Sequence, residues 1–364
     1  MGDKWTVETA ADTHGVTRQS EMDDKMKLST VLLSSAALLV AGAAYAADLP
    51  AKKAAPAAAP SGCAAFGAGY IAIPGGDTCL KISGYVRSNN TYSSNTARGK
   101  APYSLGGAYG LQFDAQNATE VGNVKSTILI ENSATTDAYV SIGGLTAGLA
   151  DDQFDIGGGY NYSGDAFGPH VGQISYSMPV GAGSLTVAAT SAQNNNGGNA
   201  ASRPDLEAGL ATSMGALKIN AGVVSHEVVG ATSGTAQGFA FIGKASFDAG
   251  VASFMGYAAY ANGASKYLGA GGAVGDSAAD SSAISSGTNY QAEIDIPVGK
   301  NDSIGLFGET ISSTQDAKSY SKTQYAAALK HTIAKGMFIR PEIFTETING
   351  ATGNGAFIRI QRDF

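Results

Sequence analysis

Along LKISGYVR the apolar residues fall on every second position: Leu80, Ile82, Gly84 and Val86 share one face, and Lys81, Ser83, Tyr85 and Arg87 the other. QISYSMPV repeats the pattern, with Ile174, Tyr176 and Met178 against Gln173, Ser175 and Ser177. NYQAEIDIPV sets Tyr290, Ala292, Ile294 and Ile296 against Gln291, Glu293 and Asp295. A period of two predicts strands with one oily and one wet face. Seven short turn signals join such segments in pairs: ATEVGN, IGGL, PVGAG, SMGA, SFDAG, PVGKND and TIAKG. They alternate with longer polar stretches that have no period of their own, among them RSNNTYSSNTARGKAP, SAQNNNGGNAASRP and ANGASKYLGAGGAVGDSAADSSAISSG.

Seven turns and eight loops connect sixteen strands. The chain then allows roughly 20 residues per strand and connection, close to what a tilted membrane strand requires. Beyond Cys79 no window of about 18 residues is continuously apolar, which excludes a membrane helix there. These features predict an all-β fold: a transmembrane, antiparallel, up-and-down β-barrel of sixteen strands. Short turns would lie on one rim and longer loops on the other, with ENSATT a short second loop. Soluble β-sandwiches would bury their oily faces in a core without such asymmetric connections. A β-solenoid would need a fixed repeat, which is absent.

Composition sharpens the picture. Only 15% of the 364 residues are charged, while Gly reaches 49 and Tyr 16; an ordinary soluble domain is about 25% charged. A net charge of −7 argues against a nucleic-acid partner, which calls for clustered Lys and Arg. From Met26, MKLSTVLLSSAALLVAGAAYAADLP carries a basic Lys27, an apolar run from Leu28 and a small-residue cleavage site at Ala44-Tyr45-Ala46. It predicts a secretory signal peptide over 26–46, the alternative being an uncleaved anchor. The acidic segment 1–25, which holds the only Trp, Trp5, reads as a start-site artefact. Residues 47–62 read as an Ala/Pro-rich spacer and 63–364 as the barrel domain. In an exported chain, Cys63 and Cys79 are expected to form a disulfide, the alternative being two independent buried thiols.

Three blocks carry a family resemblance: CAAFGAGYIAIPGGDTCLKISGYVR, DAYVSIGGLTAGLADDQFDIGGGYNYSG and the terminal FIRIQRDF resemble stretches of the general porins of alphaproteobacteria. The resemblance implies a homotrimeric channel in outer-membrane lipid that passes small hydrophilic solutes and ions passively. It further implies a third loop folded into the pore, and it implies no cofactor and no enzyme chemistry. Competing readings are a substrate-selective channel, a barrel adhesin or a barrel hydrolase; the last lacks a recognisable nucleophile–base constellation. The end at Phe364 resembles the terminal aromatic signal read by barrel-assembly machinery.

Parity assigns the inward faces. It sends Lys81 and Arg87, Lys125 and Glu131, Gln324 and Lys330, Arg340 and Glu342, and Arg359 toward water, with Pro341 facing lipid. Closing the barrel would place the last strand beside the first. Arg87, Lys125, Lys330, Arg340 and Arg359 would then form one basic wall. Loop three, ADDQFDIGGGYNYSGDAFGPH, would set Asp151, Asp152, Asp155 and Asp165 opposite it, producing a transverse field across the lumen. Glycine-rich GGLTAG and GGGYNYSG lack the context of a phosphate loop. His170, His226 and His331 stand too far apart in sequence to predict a metal centre.

Overall fold

The computed structural model describes residues 62–95, 102–156, 170–192, 201–229, 235–269, 285–315 and 318–364. A two-residue strand, β1 (Ile71–Ala72), precedes sixteen longer ones. These are β2 (Cys79–Ser93), β3 (Tyr103–Thr119), β4 (Gly122–Glu131), β5 (Ala134–Ile142), β6 (Leu145–Asp151), β7 (His170–Val180), β8 (Gly183–Thr190) and β9 (Asp205–Met214). There follow β10 (Leu217–Val229), β11 (Thr235–Asp248), β12 (Ser253–Asn262), β13 (Ser286–Val298), β14 (Asp302–Gln315), β15 (Lys318–Ala334), β16 (Met337–Ile348) and β17 (Ala351–Asp363). Each of the sixteen pairs antiparallel with its sequence neighbours, and β17 pairs with β2, so the sheet closes on itself as expected. Closure satisfies every strand edge internally, the condition for spanning a membrane with strands.

All seven predicted turns join consecutive strands at one rim: β3–β4, β5–β6, β7–β8, β9–β10, β11–β12, β13–β14 and β15–β16. The opposite rim departs from expectation. Besides the short second connection, Asn132-Ser133, two more of its eight connections span only two residues, 316–317 and Asn349-Gly350. Asn132, Ser133 and Asn349 adopt positive φ (50°, 71° and 49°), the geometry of tight hairpins, so only five of the eight connections at this rim exceed two residues. RSNNTYSSNTARGKAP also proves half strand, because β2 runs on to Ser93. Polar Ser88 and Asn90 on its outer parity, close to the rim, hide the alternation.

Outward positions are the oily ones. Ile174, Tyr176, Tyr290, Ile343 and Ile358 are exposed, whereas their inward neighbours Gln173, Ser175, Gln291 and Glu342 are buried in the lumen. Pro341 faces outward, as parity requires. Its strand pairs with β15 at Ala328↔Glu342 and again at His331↔Ile339, leaving Pro341 in a gap on that side while it pairs with Ile358 on the other. A missing N–H is tolerated where the ladder is already interrupted.

At the turn rim, β1 pairs Ile71 with Leu80 and Ala72 with Cys79, and a disulfide joins Cys63 to Cys79. The seam ends there as well: Phe364 N–H donates to Gly84 O and Gly84 N–H to Phe364 O, both at 3.0 Å. The chain stays paired to its last residue. A Cβ on Gly84 would sit 3.1 Å from the Phe364 ring and 2.3 Å from Gly110 O, so glycine lets the terminal ring lie flat on the wall.

Candidate functional site

Two segments leave the strands and fold into the lumen. Immediately after β6 the chain turns inward, with Phe154 N–H and Asp155 N–H both donating to Asp152 Oδ1 (2.8 and 3.0 Å). Gln153 N–H then reaches Glu207 Oε2 on β9 (2.9 Å), and Lys244 Nζ on β11 donates to Ile156 O (2.8 Å). The segment thus skips β7 and β8 and lies against β9–β11. Two glycines permit the approach. A Cβ on Gly222 would stand 2.5 Å from Gln153 O, and one on Gly209 would stand 2.4 Å from Gln153 Oε1.

The second segment follows β12 as a 3-10 turn, Ser265–Leu268. Tyr267 and Leu268 are fully buried, and the Tyr267 ring packs on Phe154 at 4.8 Å. Around them Val224, Ala240, Ile242, Met255 and Ala261 make an apolar core inside the barrel, on the inner faces of β10–β12. Tyr267 O–H donates to Asp205 Oδ2 (2.7 Å), and His226 Nδ1 lies 2.9 Å from both oxygens of that carboxylate. Thr190 Oγ1 donates to Glu207 Oε1 (2.8 Å). Burial, reinforced by the Glu207 charge, pushes the Asp152 carboxyl up to about 8. Burial and the same acidic surroundings raise the Tyr267 hydroxyl well above its usual range. One side of the lumen is therefore filled by an apolar plug with a buried acidic margin.

The opposite wall is charged. Arg340 on β16 pairs directly across the sheet with Arg359 on β17. Arg87 on β2 faces Gln361 on β17, one inward position from Arg359, and Lys330 on β15 falls opposite Arg340 in the interrupted register. These four cations occupy four adjacent staves. Aromatic faces and amides hold them: Arg87 stacks on Tyr85 (4.3 Å), Lys330 on Phe338 (4.7 Å), and Arg359 Nε donates to Asn89 Oδ1 (2.9 Å). Gly110 leaves room for the Tyr85 ring, whose hydroxyl donates to Glu131. Carboxylates are interleaved with the cations, with Lys322 on Glu309 at 2.9 Å.

The structure does not bring every sequence-assigned residue into these groups. The rung Tyr85–Gly110–Glu131 crosses β4 at Glu131, so Lys125 lies farther toward the turns, in an ion pair with Asp114 (3.2 Å). Asp151 is the last residue of β6, on the outward parity of Leu149, and meets His170 at 2.8 Å. Asp152 is buried beneath the inward segment, and Asp155 is half-buried on it. Asp165 and the glycines of IGGGY lie outside the described residues. The plug was missed because SKYL stands in a polar stretch. Its signal was available in GFAFIGKA and FMGYAAYA, which are apolar on both parities and so require a cover on the inner face as well.

The family described as porin subfamily matches residues 51–351 of this chain. The chain is similar to porin Omp2b of Brucella suis, 31% identical over 248 residues, 56% of this chain and 67% of that one. Among solved structures it is similar to the outer membrane channel DcaP of Acinetobacter baumannii, with TM-score 0.69 and 16% identity over 79% of this chain and 97% of that one. It is also similar to OmpT, an outer membrane protein of Vibrio cholerae, in its trimer form, with TM-score 0.59 and 10% identity over 79% and 100% of the respective chains. At such identities the structural likenesses speak to the fold alone.

Proposed function

The chain belongs to the porin subfamily and forms a passive channel in the bacterial outer membrane, and from that premise we propose that its cationic ladder lines the conducting path and biases it toward anions. Its porin relatives support a channel rather than an enzyme. One observation carries the proposal: Lys330, Arg340, Arg359 and Arg87 face inward on neighbouring staves while Phe154, Tyr267 and Leu268 fill the other side of the barrel. Solutes are thereby confined to the charged half. A unit charge about 4 Å from an ion in water is worth roughly 1 kcal/mol, and 0.1 M salt screens it over about 10 Å. Interleaved carboxylates such as Glu309 and Glu342 temper the bias, so selectivity is weak and the solutes are small and hydrophilic. Asp155, on the inward segment, supplies the acidic side of the field.

Planar-bilayer recording tests both levels. Large, weakly selective steps are expected, and a barrel closed at every voltage would overturn the channel reading. In Arg340→Gln/Arg359→Gln the zero-current potential in a salt gradient should move toward cation preference. An unchanged potential would remove the ladder from the path. A homotrimer is the assembly proposed, supported by the trimer form of the Vibrio cholerae neighbour and by the exposed Ile128 and Val140 on the strands that the tight Asn132-Ser133 connection joins. Light scattering of detergent-purified protein should give three chains per particle. Phe364, sealed to Gly84 at the turn rim, is proposed as the residue that assembly machinery reads.

A further inference from the structure

Three neighbouring strands bring Asp137 (β5), Asp151 (β6) and His170 (β7) together at the loop rim. His170 Nδ1 lies 2.9 Å from Asp137 Oδ1 and 2.8 Å from Asp151 Oδ1, and one ligand atom from each residue falls within 4.8 Å of the other two. Asp151 and His170 are direct cross-strand partners, while Asp137 leans over from the end of the β5–β6 ladder, whose last pair is Ala138↔Leu149.

Hydrogen bonding alone accounts poorly for this convergence. Nδ1 carries at most one proton, yet two carboxylate oxygens approach it at full hydrogen-bond distance. The two acceptors compete for one donor, and two negative charges are gathered around a single imidazole. A cation accepting all three groups would resolve both problems. Tetrahedral metal–ligand bonds of about 2.0–2.1 Å place neighbouring ligand atoms about 3.3 Å apart, so the two carboxylate oxygens, 2.9 and 2.8 Å from Nδ1, need retreat by only about 0.5 Å to admit the ion. One imidazole nitrogen with two carboxylate oxygens suits a borderline divalent ion such as Zn2+ better than Mg2+ or Ca2+, which take oxygen ligands. The side chains of Asp137, His170 and Asp151 are 15%, 34% and 52% exposed, leaving room for water to complete the shell.

We propose that Asp137, Asp151 and His170 form a surface site for a transition-metal dication, of which Zn2+ is the representative. Asp151 ends β6 and His170 begins β7, so the metal ties together the strand ends from which connection 152–169 departs and to which it returns. Among the described residues the other rim histidine, His331, pairs with Asp302 at 2.7 Å and offers only two ligands. The test is calorimetric titration of the full chain in detergent with ZnCl2, on a His331→Gln background, with far-UV circular dichroism confirming the sheet in each variant. One Zn2+ per chain is expected, with affinity falling at least tenfold in His170→Gln and in Asp137→Asn/Asp151→Asn. Equal Zn2+ binding in His170→Gln would overturn the site, as would displacement of Zn2+ by equimolar Mg2+. Neither readout depends on conduction, so the result stands apart from the channel assignment.

Discussion

Replacing Gly222 by valine should drive the inward segment off the wall and enlarge the pore. A Cβ at this position would sit 2.5 Å from Gln153 O, where ordinary contact begins at 3.4 Å, so the carbonyl must retreat by about 0.9 Å; forced packing of this kind typically costs ~1–3 kcal/mol. Against that displacement stand the buried Phe154 side chain, worth ~1.5–3 kcal/mol, and two charge-assisted hydrogen bonds, Gln153 N–H to Glu207 and Lys244 to Ile156 O, each ~1.5–3 kcal/mol. One added methyl is within reach of those anchors. Valine brings two more and strikes backbone, which cannot rotate away. Gly209→Ala is the control, because its nearest contact is the far end of the Gln153 side chain. Single-channel conductance should rise and become noisier in Gly222→Val and stay near wild type in Gly209→Ala. A folded Gly222→Val barrel with wild-type conductance would show that residues 152–156 do not restrict the path.

Asp152 makes the same attachment pH-dependent. An acid raised to about 8 on folding binds its proton more tightly in the folded state, so its contribution falls as pH climbs from the unfolded carboxylate range, ~4, to about 8, and is flat above. Current noise should therefore grow as pH rises toward 8, level off above it, and lose that dependence in Asp152→Asn; identical pH profiles would contradict the burial argument. Reducing the Cys63–Cys79 bond frees a segment spanning 16 positions, which the chain-entropy relation values at ~3 kcal/mol. Thermal scans with and without reductant should show a lower midpoint for the reduced protein, and equal midpoints would mean that the staple adds nothing. Deleting Phe364 removes both hydrogen bonds to Gly84 and the terminal ring. Less assembled barrel should then reach the outer-membrane fraction, and normal yield would dismiss the assembly role.

The wall of this molecule was legible in its sequence because lipid outside and water inside impose opposite demands on alternate residues. Ile174 against Gln173 and Ile343 against Glu342 report that contrast directly, and the seven turns follow from Gly-bearing dipeptides whose chemistry is local. What lies inside the wall obeys a different rule. Tyr267 and Leu268 are buried by contact with Phe154, more than a hundred positions earlier, and nothing local to SKYL distinguishes it from a solvated loop. The double-sided apolar composition of β11 and β12 did encode the plug, but as a demand for a cover rather than as the identity of the cover. The basic wall shows the same limit. Parity correctly turned Lys125 inward, yet the stagger between staves set it apart from Arg87, Arg340 and Arg359, and only the register of β2, β3 and β4 reveals that separation. The histidines show this limit from another side. Widely spaced in sequence, they predict no metal centre, whereas the hairpin through Gly143-Gly144 and the return of β7 deliver two carboxylates to His170. Period-two reasoning thus resolves which solvent a residue faces and not which residues face each other, and in a barrel the second question carries the selectivity.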